Sequence, residues 1–177
     1  MLTVPAEALR ASFLAAMGEF EEETGAADAD GLSVAELSRP GRLGEYVRAM
    51  NRGCLPWQRT HAGSYVRCWW WVVGGEFVGW ISVRPDLTPG VAGANHIGYA
   101  VRPGRRGEGH ATAMLAAALP IALGWGIDPV VLVCDQTNLG SRTVIERNGG
   151  HLASIAAGRC RYLVSAASGG WRDTVAP

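Results

Sequence analysis

Between Val101 and Thr112 the chain changes character within a few residues. Val101-Arg102-Pro103-Gly104-Arg105-Arg106-Gly107-Glu108-Gly109-His110-Ala111-Thr112 reads as a strand end, a Gly/Arg loop and the start of an Ala/Leu-rich helix, His110 to about Leu123. With helices and an antiparallel stretch before it and β-α-β-α-β order around it, this step reads as part of a mixed α/β chain. Backbone N–H groups at such a helix start, with no side chains over them, form an anion site. Arg105 and Arg106 add positive charge suited to a pyrophosphate. An ordinary strand-to-helix turn with solvated arginines explains the segment equally well when it is taken alone. The dinucleotide fingerprint is excluded, because Thr112 stands where its third Gly belongs.

The remaining elements follow from periodicity. Ala6 to Glu23 is amphipathic, with Leu9, Phe13, Ala16 and Phe20 at helical spacing. Gly25 to Arg39 reads as loop, and Leu43 to Asn51 as a second short helix. Val66 to Val73 and Glu76 to Val83 are β-rich runs joined by Gly74-Gly75, a hairpin signal. His96 to Val101 is a third strand. Pro120 is expected to kink or shorten the helix that follows the Gly/Arg loop. Val130 to Cys134 is an apolar strand, Asn138 to Arg147 a helix, and Leu152 to Ala156 and Cys160 to Val164 closing strands. The expected organisation is one α/β (α+β) domain over residues 1–165, with a fraying tail at 166–177.

Composition narrows the chemistry. Apolar residues are 48% and sixteen cations balance sixteen anions, so a core is expected but no field that gathers nucleic acid or anionic membrane. Every cation is Arg. A P-loop NTPase and Schiff-base catalysis are therefore excluded, since both need a Lys. Cys54, Cys68, Cys134 and Cys160 show no metal-ligand spacing, so no metal is expected and the thiols read as reduced. Neither a signal peptide nor a membrane span is expected, which makes the chain cytoplasmic on this reading.

Arg106-Gly107-Glu108-Gly109-His110-Ala111, between a strand and a helix, resembles the signature of the GNAT superfamily of N-acetyltransferases: Gln or Arg, two residues, Gly, one residue, Gly or Ala. Asn95-His96-Ile97-Gly98-Tyr99-Ala100-Val101-Arg102-Pro103, Cys134-Asp135-Gln136-Thr137-Asn138-Leu139-Gly140-Ser141 and Val144-Ile145-Glu146-Arg147-Asn148-Gly149-Gly150 are similar to segments of a bacterial subgroup of predicted acetyltransferases. The resemblance implies a mixed, mostly antiparallel sheet flanked by helices, with acetyl-CoA between two splayed central strands. It puts pantetheine along the backbone of Tyr99, Ala100 and Val101, and pyrophosphate on the amides of Arg106, Gly107, Glu108, Gly109, His110, Ala111 and Thr112. An N–H near Ala100 or Val101 would face the thioester carbonyl, and Asn138 and Ser141 would meet the pantetheine arm.

An ammonium acceptor must lose a proton before it attacks. His96 is the expected base, with a backbone-bonded structural His as the alternative. Many family members place a Tyr seven residues after the Asn to protonate the leaving thiolate, and here that position is Ile145. Tyr99 and Cys134 are the substitute donors, although Cys134 also reads as a core thiol. Trp57, Trp69, Trp70, Trp71 and Trp80 suit either an acceptor pocket or dimer surface, or a sheet covered on both faces. Glu19 to Glu23 could attract a cationic acceptor or form a solvated helix face. The expected activity is acetyl transfer to a primary amine of a small molecule, or second a peptide, in a ternary complex, with a homodimer as the candidate assembly. The alternative is an inactive acyl-CoA-binding or sensing domain.

Overall fold

The structure is a computed structural model and describes residues 1–25, 31–55, 65–87 and 94–166. Trp57, most of the expected loops at 53–64 and 86–95, and the tail beyond 166 lie outside the described residues.

Two short β1 residues, Leu2–Thr3, pair with β2, Arg67–Val73. After a 3-10 turn at Glu7–Leu9 comes helix α1, Arg10–Thr24, which buries Phe13, Ala16, Met17 and Phe20. Helix α2, Val34–Ser38, falls in the stretch expected to be loop. Its start is a capping box: the Ser33 hydroxyl accepts the Glu36 N–H at 3.2 Å, and Glu36 Oε2 accepts the Ser33 N–H at 2.9 Å. Helix α3, Arg42–Asn51, follows. β2 then forms an antiparallel hairpin with β3, Glu76–Val83, and Gly74 and Gly75 both take the positive φ that a tight two-residue turn demands.

β4, Ile97–Val101, completes a four-stranded sheet in the order β1-β2-β3-β4. Helix α4, His110–Gly124, runs past Pro120 without being shortened. Pro120 is on the exposed face, where the freed carbonyl one turn back can be hydrated, while Leu119 and Ala122 are fully buried and hold the last turns down. β5, Val130–Asp135, α5, Leu139–Arg147, β6, His151–Ala156, and β7, Arg159–Val164, form the second half. Its three strands are ordered β5-β7-β6. All registered strand pairs are antiparallel, so the expected α/β architecture of antiparallel sheet and flanking helices holds.

The first sheet is covered on both faces. On one, α1 and α3 pack over Trp70 and Phe77; the Trp70 indole stacks on Phe13 at 4.5 Å between ring centroids. On the other, α4 seals β3, β4 and β5 with Met114, Leu115 and Leu119. Each such side chain contributes roughly 1.5–3 kcal/mol of burial. Trp69 and Trp71 pack on the α4 side, Trp70 and Trp80 on the α1 side, which is the covered-sheet reading of the tryptophans. Among the described residues no helix is long and apolar enough to cross a membrane.

Candidate active site

The two sheets touch at one point and then part. At the root of β4 the His96 N–H donates to the Val131 carbonyl at 2.8 Å, and the Val131 N–H donates back to His96 Nδ1 at 2.9 Å. Beyond this point β4 pairs only with β3 and β5 only with β7, leaving a cleft of about 660 Å³. Its walls are Tyr99, Ala100 and Val101 of β4, residues 105–107 and 109–112 of the loop and α4, and Asn138, Gly140, Ser141 and Arg147 of α5 and its cap.

Each wall has a local cause. Arg84 donates its N–H to the His96 carbonyl, and Arg102 its N–H to Val78, so alternate residues of β4 face β3. The peptide groups of Tyr99 and Val101 therefore point to the other edge, into the cleft. Gly107 and Gly109 have φ of +82° and +83°, a conformation that folds the loop back under α4. Gly109 is the N-cap of α4, so the amides of His110, Ala111 and Thr112 have no preceding helical carbonyl and open toward the cleft. Asn138 caps α5 through its side-chain oxygen, which accepts the Ser141 N–H at 2.9 Å. Ser141 Oγ in turn lies 3.2 Å from the Tyr99 hydroxyl, a link across the cleft.

The charged side chains around the loop are already paired. Arg106 makes a bidentate pair with Glu23 at 2.5 and 2.8 Å and donates from Nε to the Val101 carbonyl at 3.1 Å. Arg105 pairs with Glu108 and Glu76, and His110 Nε2 lies 3.1 Å from Glu108. Arg102 is held by Glu19, which also accepts the Gly104 N–H at 2.9 Å. The Arg102 and Arg106 guanidiniums hold the Glu19 and Glu23 carboxyls below the ordinary range. Glu19 and Glu23 thus strap α1 to the Gly/Arg loop, while Glu21 accepts the Val34 N–H at 2.7 Å and Glu22 stays on the exposed face. Glu108 belongs to this network and does not line the cleft, in contrast to the other residues expected at 106–112.

The unpaired donors that the described residues offer this cleft are therefore the backbone amides at the start of α4 and Arg147, an exposed residue of the rim with no carboxylate partner among the described residues. Glu23→Gln should release the Arg106 charge and tighten binding of an anionic ligand by about two- to fivefold, with a steeper salt dependence, in a titration at low and high salt.

The structure separates the three expected catalytic residues. Tyr99 lines the cleft, and its burial pushes the phenol up to about 12. Cys134 lies in the core, in register with Cys160, and burial raises its thiol too. His96 is at the sheet junction, 8% exposed, and does not line the cleft; its ring is bonded to backbone, as in the structural alternative. Ile145 faces the core against Gly150. Thr143, Val144 and Arg147 of the α5 wall were not anticipated, although their spacing of three to seven residues from Gly140 puts them on one helix face.

A helix N-terminus between two parting strands, with a capped second helix as the far wall, is the arrangement that the resemblance to the acetyltransferases implied. The family comparison agrees: the family model described as an acetyltransferase (GNAT) domain matches residues 26–151, and the chain belongs to that family. A search of curated protein sequences finds no match. Solved structures share the fold at low identity. RimJ of Mycobacterium smegmatis, in complex with CoA-disulfide, is 18% identical with a TM-score of 0.63, covering 94% of this chain and 86% of its own. The microcin C7 self-immunity acetyltransferase MccE, in complex with acetyl-CoA and AMP, is 15% identical with a TM-score of 0.59, covering 93% and 91%. A Salmonella typhimurium acetyl transferase, described as modifying the N-terminal serine of ribosomal protein L7/L12, is 19% identical with a TM-score of 0.58, covering 93% of each chain.

Proposed function

We propose that the protein transfers the acetyl group of acetyl-CoA to a primary amine by direct attack in a ternary complex. The observation that carries this is the cleft: strand backbone on one side, the α4 amides at its floor and α5 opposite. Pantetheine would pair with the free edge of β4, and the pyrophosphate would meet the His110–Thr112 amides. By the alternation of β4, the Val101 N–H, rather than that of Ala100, faces the thioester oxygen and stabilises the negative charge developing there. MccE, with the same fold, was solved with acetyl-CoA.

In this reading the acceptor gives its proton to water, supported by a described cleft lining whose one imidazole, His110, is bonded to Glu108. That favours weakly basic amines. At pH 7 a Lys-type amine is about 0.04% unprotonated, an α-amino group with pKa near 8 about 10%. The rate should therefore rise tenfold per pH unit up to the acceptor's own pKa.

Tyr99 acts as a hydrogen-bond donor to the departing sulfur, not as the acid. A proton moving from a phenol at about 12 to a thiolate near 8.5 would climb about 5 kcal/mol. Tyr99→Phe should lower kcat about ten- to thirtyfold, the worth of one hydrogen bond to a charged group, and leave acetyl-CoA affinity nearly unchanged. A thousandfold loss would contradict this assignment.

The test is CoA release from acetyl-CoA across a panel of amines that includes peptide α-amines. Amine-dependent release supports transfer. Binding without release on any amine would favour the sensing alternative, for which Ile145 in the core, in place of the family's Tyr, is the supporting observation. A burst of release without acceptor, with acetyl on Cys134, would refute direct transfer.

A further inference from the structure

We propose that His96 is a positioning residue: its unprotonated Nδ1 clasps β5 to the root of β4 and sets the opening of the cleft. The inference rests on the acetyl-CoA reading of that cleft and concerns what holds it in shape.

Three backbone groups converge on this residue. The Arg84 N–H of the segment after β3 donates to its carbonyl at 2.7 Å, its own N–H donates to Val131, and the Val131 N–H donates to Nδ1. One residue thus joins β3, β4 and β5 where the sheets meet, three positions before the first cleft residue, Tyr99. With Nδ1 accepting, the proton of the neutral ring sits on Nε2. Protonating Nδ1 would set two N–H groups against each other, removing the side-chain half of the clasp and adding repulsion. The main-chain bond would then hold the junction alone.

The charged groups around the ring are Arg161 of β7, and Arg84 and Asp86 past the end of β3. Burial is the largest influence and disfavours the imidazolium; both arginines act with it, and Asp86 acts against it. A His held below its usual 6.5 contributes stability that is complete above that value. The contribution falls as pH drops from 6.5 toward the folded-state pKa. The cleft should accordingly hold its shape at neutral pH and loosen as pH falls below 6.5 through the folded-state value.

The experiment compares wild type with His96→Asn, whose side-chain oxygen can accept the Val131 N–H without titrating, and with His96→Ala, which cannot accept it. Acetyl-CoA affinity is measured from pH 7.5 to 5.0, and the Val131 amide of the cosubstrate-free protein is followed by NMR over the same range. Wild type should lose about tenfold more affinity on acidification than His96→Asn does. His96→Ala should bind about tenfold more weakly than wild type already at pH 7.5. The Val131 amide should report a titration in wild type that is absent in His96→Asn. Parallel pH profiles for wild type and His96→Asn, or wild-type affinity in His96→Ala, would overturn the proposal. Should His96→Ala not fold, the comparison of wild type with His96→Asn decides. Absence of acetyl-CoA binding in every form would refute the cosubstrate reading instead, and the Val131 titration would then decide the clasp by itself.

Discussion

Gly79→Ala is expected to destabilise the protein by about 3 kcal/mol or more, lowering Tm by about 6–12 °C for a chain of this size. A Cβ at this position would run into the Ala100 carbonyl oxygen and come within 3.2 Å of Val101 Cα. Both obstacles are backbone, so no side chain can swing aside. Gly79 opposes Val101 in the β3–β4 ladder. The close approach that only Gly permits is therefore what seats the cleft-bearing part of β4. Relief would have to move β4 outward, so the surviving folded fraction should also bind acetyl-CoA more weakly. A melt followed by circular dichroism checks the first effect; a Tm within about 2 °C of wild type would show that β4 has room to shift freely.

Gly109→Val should weaken acetyl-CoA binding by more than a hundredfold. At φ +83° a β-branched residue is a genuine outlier. The chain will escape the strain by rotating the α4 cap, and with it the converging amides of His110, Ala111 and Thr112. Gly109→Ala, with a smaller penalty, should cost about tenfold. Gly41→Ala is the control. It has φ +78° at the start of α3 and should cost comparable stability while leaving affinity intact. Titration calorimetry on the three variants separates loss of the anion cradle from general weakening. Equal affinity for wild type and Gly109→Val would mean that these amides do not hold the cosubstrate.

The parts of this protein that could be read from its sequence are those written in local patterns. The Gly74-Gly75 hairpin, the apolar stripe of α1 and the Gly-rich start of α4 each encode their geometry within a few residues. The capping box that opens α2 was equally local, but Ser33-x-x-Glu36 sits among Ala, Asp and Gly residues that mask it. Pro120 leaves α4 at full length because packing at Leu119 and Ala122 outweighs local preference. What no local pattern could supply is who neutralises whom. Glu23 and Arg106 are 83 residues apart, and their pairing turns an apparent phosphate-binding arginine into a strap on α1. His96 meets Val131 across 35 residues, so a residue type suggestive of proton transfer proves to be bonded at the sheet junction. The cleft was legible as a loop motif and as a resemblance; the division of labour within it was not.

The central claim is that the cleft between β4 and β5 binds acetyl-CoA on backbone amides. Calorimetric titration of the wild-type protein with acetyl-CoA at pH 7.5 tests it most directly. One site per chain is predicted, with binding that persists when Arg106 is replaced by Gln and is lost in Gly109→Val. No saturable heat with the wild type, or binding that vanishes with the Arg106 charge and survives Gly109→Val, would contradict it.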